Sequence, residues 1–279
     1  SAGLTCALFL SRAERAGSGT LLFSCSYALM GFVFVYQQNI LWLDGIIFLP
    51  LVLWGVQRLM SRRRPLLFIL SLAACLITNY YIAYMICIFS ALYFLFQLAV
   101  IHPQSPRLHG RAVLISCGRL LGAYLAAAGL AAFVLVPTAF SLMGGDKNLG
   151  LLSRLGLGVR FEAGDLFSKL FTGSFESRDM WTSPLPVMFC GLLITLLLFL
   201  YFFNRRIRFR EKVAAGIWLA VMFCGFQVEA LYLVWHAFNF PIGFPSRQAF
   251  LFSFTMIYLA CRGFVRLRGG VKRRHLAIA

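Results

Sequence analysis

The chain is a succession of apolar runs, most of them roughly 15 to 20 residues or longer, broken by short arginine-rich clusters. Backbone amides in hydrocarbon have no water to bond, and over such lengths only helices satisfy their own hydrogen bonds. The ten-residue alternation of a membrane β-barrel is not the pattern here. Charged residues make up 13% of the chain, about half the share of a soluble domain. At 61% hydrophobic, 279 residues carry more apolar surface than one core can hide. The expectation is an all-α, polytopic transmembrane helical bundle of about nine segments. It forms a single membrane domain over residues 1–279, with an external loop region at 144–183.

The segments are placed by reading apolar runs against charge clusters. Residues 1–11 are the tail of a truncated helix, followed by a loop with Arg12 and Arg15. Residues 20–36 cross outward, 37–44 form a polar–aromatic connection, and 45–60 return. Residues 66–79 and 82–101 flank a break at Asn79-Tyr80-Tyr81. Residues 112–143 form one long span, kinked by Pro137. Residues 184–203, 213–230 and 247–264 are the last three crossings. The chain opens at Ser1 inside an apolar stretch without a signal-peptide n-region, so a fragment of a longer protein is expected.

A formal net charge of +17 suggests nucleic acid as a partner until its distribution is considered. Of 26 lysines and arginines, 19 fall in the five turns assigned to one side, at 12–19, 57–65, 102–111, 204–212 and 262–279. Acidic residues go the other way, with only Glu14 and Glu211 on the basic side. This is the positive-inside pattern of a multi-pass plasma-membrane protein with cytoplasmic basic loops. Membrane lipids are the partners it implies, and nucleic acid is not. All eight cysteines lie in apolar runs without metal-ligand spacing and read as small packing residues.

Chemistry is expected where polar groups interrupt apolar sequence on the outer side. Asp44 ends the stretch Asn39-Ile40-Leu41-Trp42-Leu43-Asp44. It reads either as a catalytic carboxylate or as the N-cap of the helix that follows. Asn79, Tyr80 and Tyr81 read either as interfacial belt residues or as the lining of a cavity. His236 and Arg247 belong to an aromatic, proline-containing elbow over 235–247. Arg247 suits bidentate phosphate contact at a helix start, against the alternative of a snorkelling anchor. No P-loop, G-x-S-x-G or H-E-x-x-H motif is present, so nucleotide and zinc chemistry have no support and no metal site is expected.

The stretches AGLTCALFL (2–10), SYALMGFVFVYQQNILWLD (26–44), ILSLAACLITNYYIAYMICIF (69–89), DLFSKLFTGS (165–174) and WHAFNFPIGFPSRQAFLFSF (235–254) together resemble the bacterial YfhO family of membrane proteins. That family is similar to GT-C glycosyltransferases. The resemblance implies sugar transfer on the extracytoplasmic face from a polyprenyl-phosphate donor to a cell-envelope acceptor polymer such as teichoic acid, with no other cofactor. It implies a substrate-binding role for Asn39, Trp42, Asn79, Tyr80, Tyr81, His236 and Arg247. It also implies that the principal catalytic Asp precedes Ser1, leaving Asp44 to position substrate. Ser246 departs from the aromatic residue the resemblance leads one to expect before Arg247. The competing reading is a non-enzymatic transporter or lipid flippase. Against ion or polar-solute transport stands the scarcity of ionisable residues at the centres of the runs, Arg119 lying near the cytoplasmic end of its crossing; a lipid flippase stays open.

Overall fold

The computed structural model describes residues 1–101, 110–143, 158–171, 173, 175, 183–241 and 243–268. Most of the expected outer loop region 144–183 lies outside the described residues. The regular secondary structure of the described residues is helical, apart from one antiparallel bridge between Val159 and Val228. The helices are α1 (Ala2–Phe9), α2 (Gly19–Ala28), α3 (Gly31–Val35), α4 (Ile40–Met60), α5 (Leu66–Thr78), α6 (Tyr80–Ile101), α7 (Gly110–Leu130), α8 (Ala132–Met143), α9 (Asp165–Ser168), α10 (Leu192–Phe203), α11 (Phe209–Gln227), α12 (Glu229–Trp235) and α13 (Ala249–Arg268).

By length and composition, four of these stretches can cross a membrane: Ile40–Met60, Tyr80–Val100, Ala112–Leu130 and Ala249–Leu267. The 21 residues of α4 rise about 31 Å, matching the hydrocarbon core, whereas the 12 of α10 rise only about 18 Å. Several expected crossings are broken or short. The run 20–36 splits at Leu29 and Met30, because Gly31 N–H donates to Phe189 O (2.7 Å) and Met30 is extended. The run 112–143 splits at Ala131, and Pro137 lies inside α8 rather than at the break. Residues 184–191 are not helical. The connection expected at 37–44 is already helix from Ile40 onward, and Arg12 sits in a π-helical turn (Leu10–Glu14) rather than a loop.

Helix α13 is the centre of the bundle, with every residue from Ala249 to Cys261 buried. Helix α7 lies at the periphery and turns Leu114, Leu121 and Leu125 outward, each at least 60% exposed. Apolar exposure along a whole helix fits a lipid-facing surface. Helix α4 contains Pro50, which has no N–H to give the carbonyl of Ile46. The hydroxyl of Tyr27 on α2 donates to that carbonyl at 2.7 Å and replaces the missing bond. Gly55 lets the α5 backbone approach, since a Cβ there would stand 2.6 Å from Phe68 Cα.

The two ends of the bundle differ in chemistry. At the arginine-rich end, Arg119 donates to Arg63 O (2.7 Å) and Arg206 to Arg266 O and Leu267 O. Arg262, expected in the last basic turn, is instead inside α13 and only 8% exposed. It pairs with Glu14 (3.1 Å) and Glu211 (2.9 Å), and Glu211 also takes Arg266 (3.0 Å). Tyr258 OH donates to Glu14 (2.8 Å), and Gln97 donates to the hydroxyls of both Tyr93 and Tyr258 (2.7 Å each). The two acids that run against the charge asymmetry are thus the partners of a buried arginine.

Removing one partner of a buried ion pair leaves an uncompensated charge in a medium that solvates it poorly. Arg262→Ala is expected to destabilise the protein by about 3–5 kcal/mol, read as a lowered thermal midpoint in detergent. Arg266→Ala, at a side chain 31% exposed, is expected to cost about 1 kcal/mol or less. Equal midpoints for the two variants would refute the ranking.

Candidate functional site

Opposite the arginine-rich end, the starts of α4, α6 and α13 meet the elbow that follows α12. Asn79 makes the turn between α5 and α6. Its Oδ1 accepts from Tyr81 N–H (3.1 Å) and Ile82 N–H (3.0 Å), and its Nδ2 donates to Leu41 O on α4 (3.2 Å). It is therefore the N-cap of α6 and a tie to α4, with its side-chain groups committed to structure. Tyr80, beside it, is 39% exposed at the surface. Tyr81 turns inward instead.

Arg247 lies two residues before α13. Its guanidinium carbon stands 5.0 Å from the Trp42 ring and 5.2 Å from the Tyr81 ring, a cation held between two aromatic faces. Its Nε donates to Phe244 O (3.1 Å) and Nη2 to Gly243 O (3.3 Å). Tyr36 and Phe244 close the box, 5.4 and 5.5 Å from Trp42. The elbow carrying Arg247 is strained, because Ala237, Phe238, Phe244 and Ser246 all have positive φ near 50–60°. Non-glycine residues adopt that region at a cost and keep it only where surroundings enforce it. Ser246 shows how. Its Oγ donates to Pro184 O (2.9 Å) and its N–H to the Tyr232 hydroxyl (3.1 Å), at 1% exposure. A small hydroxyl residue fits there, which accounts locally for the departure from an aromatic.

His236 is fully buried, its ring 4.0 Å from Tyr232 and 6.4 Å from Tyr81. Its Nδ1 lies 2.8 Å from Tyr232 O. A carbonyl can only accept, so the proton sits on Nδ1 and Nε2 presents a lone pair. That Nε2 has no hydrogen-bond partner among the described residues. Burial, opposed by the Tyr232 bond and aided by Arg247 and Arg160, pushes the His236 pKa down to about 3. The imidazole is neutral at physiological pH.

Asn39 occupies the N-cap position of α4 but makes no side-chain cap bond, and its Nδ2 is buried without a partner among the described residues. Asp44 is one turn inside α4, so its N-cap reading does not hold. It follows Trp42 by two residues, which turns it about 200° away on the helix. No ion pair or hydrogen bond joins Asp44 to Arg247 among the described residues. Trp42, Tyr81, His236 and Arg247 come together; Asp44 and Tyr80 stand apart.

Two members of the cluster were not anticipated. Arg160 enters from the segment before α9, held by its N–H to Gln227 O (3.0 Å), and stacks 3.4 Å from the Tyr232 centroid. Glu229 shares a face of α12 with Tyr232 and His236, at i, i+3 and i+7. Its spacing from His236 is a signal in the sequence; for Arg160 no local signal exists. A cavity of about 740 Å3 lies between the α2–α3 break, residues 169, 171, 173 and 175, and residues 187–189. No group of three or more metal-ligating side chains occurs among the described residues.

An apolar helical bundle with lipid-facing flanks and a polar, arginine-bearing site at one end defines a polytopic membrane protein. A family model described as "Bacterial membrane protein YfhO" matches residues 1–279, and the chain belongs to that family. No curated protein and no solved structure matches it.

A histidine that is neutral when folded and protonates near pH 6.5 when unfolded favours the unfolded chain in acid. Its contribution to stability is complete above about pH 6.5 and is lost as pH falls toward the folded value of about 3. Thermal midpoints measured from pH 7.5 to 4.5 should fall more steeply for the wild type than for His236→Gln. Parallel slopes would show that His236 is not held neutral.

Proposed function

We propose that this chain carries the outer-face substrate site of a GT-C-like glycosyltransferase, of about nine membrane segments, using a polyprenyl-phosphate sugar donor. Its basic turns would face the cytoplasm of a bacterium and its aromatic–arginine cluster the envelope. The observation that carries the reading is the placement of Arg247, clamped between Trp42 and Tyr81 beside the unpartnered Nε2 of neutral His236.

Each part has a task in displacement at an anomeric carbon. An acceptor hydroxyl oxygen forms the bond to that carbon as the bond to the donor's phosphate oxygen breaks, and the electron pair leaves on phosphate. Arg247, with Arg160 nearby, stabilises the departing anion. Trp42 and Tyr81 offer aromatic faces against which a sugar ring packs. His236 Nε2 accepts a hydrogen bond from a sugar hydroxyl, since its low pKa suits an acceptor better than a proton carrier. The acceptor's proton needs a carboxylate, and Glu229 is the one on the cluster's own helix face. Asp44, on another face of α4, is left a substrate-positioning role. The acceptor would be a cell-envelope polymer, teichoic acid being the one the family resemblance suggests.

The test uses the full chain in proteoliposomes supplied with radiolabelled polyprenyl-phosphate sugar and envelope polymer. Arg247→Lys keeps the charge but loses the planar fork and the stacking, and is expected to lower transfer about 100-fold with an unchanged thermal midpoint. Glu229→Gln is expected to match it, and Asp44→Asn to cost less. Lipid translocation without any sugar transfer in the wild type would refute the reading in favour of a flippase.

A further inference from the structure

At the arginine-rich end, residues 204–208 join α10 to α11 in a turn that is fixed to the bundle. Asn204 Oδ1 accepts from Arg206 N–H (2.9 Å), and its Nδ2 donates to Gly263 O on α13 (3.4 Å). Asn204 is 7% exposed and Ile207 3%, so the turn is keyed into the protein at two points. Arg206 adds a third tie through its bonds to Arg266 O and Leu267 O. Arg205, Arg208 and Arg210 are exposed, and none has a carboxylate partner among the described residues.

The neighbouring sequence offers them no counter-charge. Glu211 is the one acid between residues 204 and 227, and it is already paired with Arg262 (2.9 Å) and Arg266 (3.0 Å). Residues 269–279 add Lys272, Arg273 and Arg274 but no acid. The first turn of α11 has no side-chain cap, and a free helix start favours an anion. Beside these cations stand two large apolar groups. Phe203 closes α10 and Phe209 opens α11, with 77% and 79% of their surface exposed.

Phenyl rings gain from hydrocarbon, and guanidinium forks gain from phosphate oxygens. A free phosphate answers only the second need. A molecule with acyl chains beside a head group of net negative charge answers both. Charge asymmetry by itself would treat every basic turn alike, but the turn at 61–65 differs: Arg62, Arg63 and Arg64 are flanked by Met60 and Leu66, not by phenylalanines. We infer that the α10–α11 turn is a head-group site for one anionic phospholipid, with its phosphate among Arg205, Arg208 and Arg210 and its acyl chains against Phe203 and Phe209. The site lies at the end away from Arg247 and does not depend on the sugar-transfer reading.

The experiment is native mass spectrometry of the full chain, delipidated in detergent and titrated with phosphatidylglycerol. Phosphatidylcholine with the same acyl chains and glycerol 1-phosphate serve as comparison ligands. The expected result is a saturating adduct of one phosphatidylglycerol per chain, with phosphatidylcholine about tenfold weaker. Glycerol 1-phosphate should not displace the lipid. Arg205→Gln combined with Arg208→Gln should weaken the adduct about 25-fold, a factor of about five for each charge. Arg63→Gln combined with Arg64→Gln removes the same charge from the other turn and should change it less than about twofold. All four residues are exposed, so both pairs should keep the wild-type thermal midpoint. Phe203→Ala combined with Phe209→Ala should weaken the lipid about tenfold. Equal losses from the two arginine pairs would reduce the turn to a share of the general basic field and overturn the inference. Phosphatidylcholine binding as tightly would overturn it too, as would displacement by glycerol 1-phosphate, which would mark a site for free phosphate.

Discussion

The structure depends on one constraint: inside hydrocarbon, every backbone N–H and C=O must find its partner within the protein. Long helices meet it alone, and at each interruption a specific group takes over. Tyr27 bonds the carbonyl orphaned by Pro50, Asn79 caps α6 while holding α4, and Phe189 O takes the amide of Gly31. These repairs lock helices to one another, so the places where the chain breaks are also where it is cross-braced. Both the aromatic cluster and the cavity at the α2–α3 break sit at such places.

The two ends of the bundle use charge differently. Near the arginine-rich end, Glu14 and Glu211 neutralise Arg262, and hydroxyls and amides of α4, α6 and α13 complete the bonds. That arrangement ties five helical elements together. At the other end, the arginines are held by aromatic rings and carbonyls rather than carboxylates. Guanidinium groups positioned in this way keep capacity for an anion that arrives later. The strained elbow from Ala237 to Ser246 supports the same view, since left-handed non-glycine residues persist where geometry is held for use.

Much of this was legible in the sequence. Run length implied helices, and the arginine-rich clusters do gather at one end of the bundle. Trp42, Tyr81, His236 and Arg247, singled out because polar or aromatic groups interrupt apolar sequence, converge. The breaks in α2–α3 and before α10 were not legible, because hydropathy averages over a window and their cause is a contact between residues 31 and 189. Asn79 was read for its polarity, whereas its role follows from the turn it makes. Asp44 was placed at a helix start that begins five residues earlier, which moves it off the face of Trp42. Arg160 at the cluster and the pairing of Glu14 with Arg262 across 248 positions arise only from folding. Glu229 could have been found from its spacing to His236.

The account stands on the two chemically distinct ends facing different compartments. Single cysteines at two exposed positions in an otherwise cysteine-free chain, Gln37→Cys at the cluster end and Arg63→Cys at the arginine-rich end, test it in intact bacterial cells with a membrane-impermeant thiol reagent. Gln37→Cys should label in intact cells and Arg63→Cys only after permeabilisation. Labelling of both in intact cells, or the reverse order, would contradict the account.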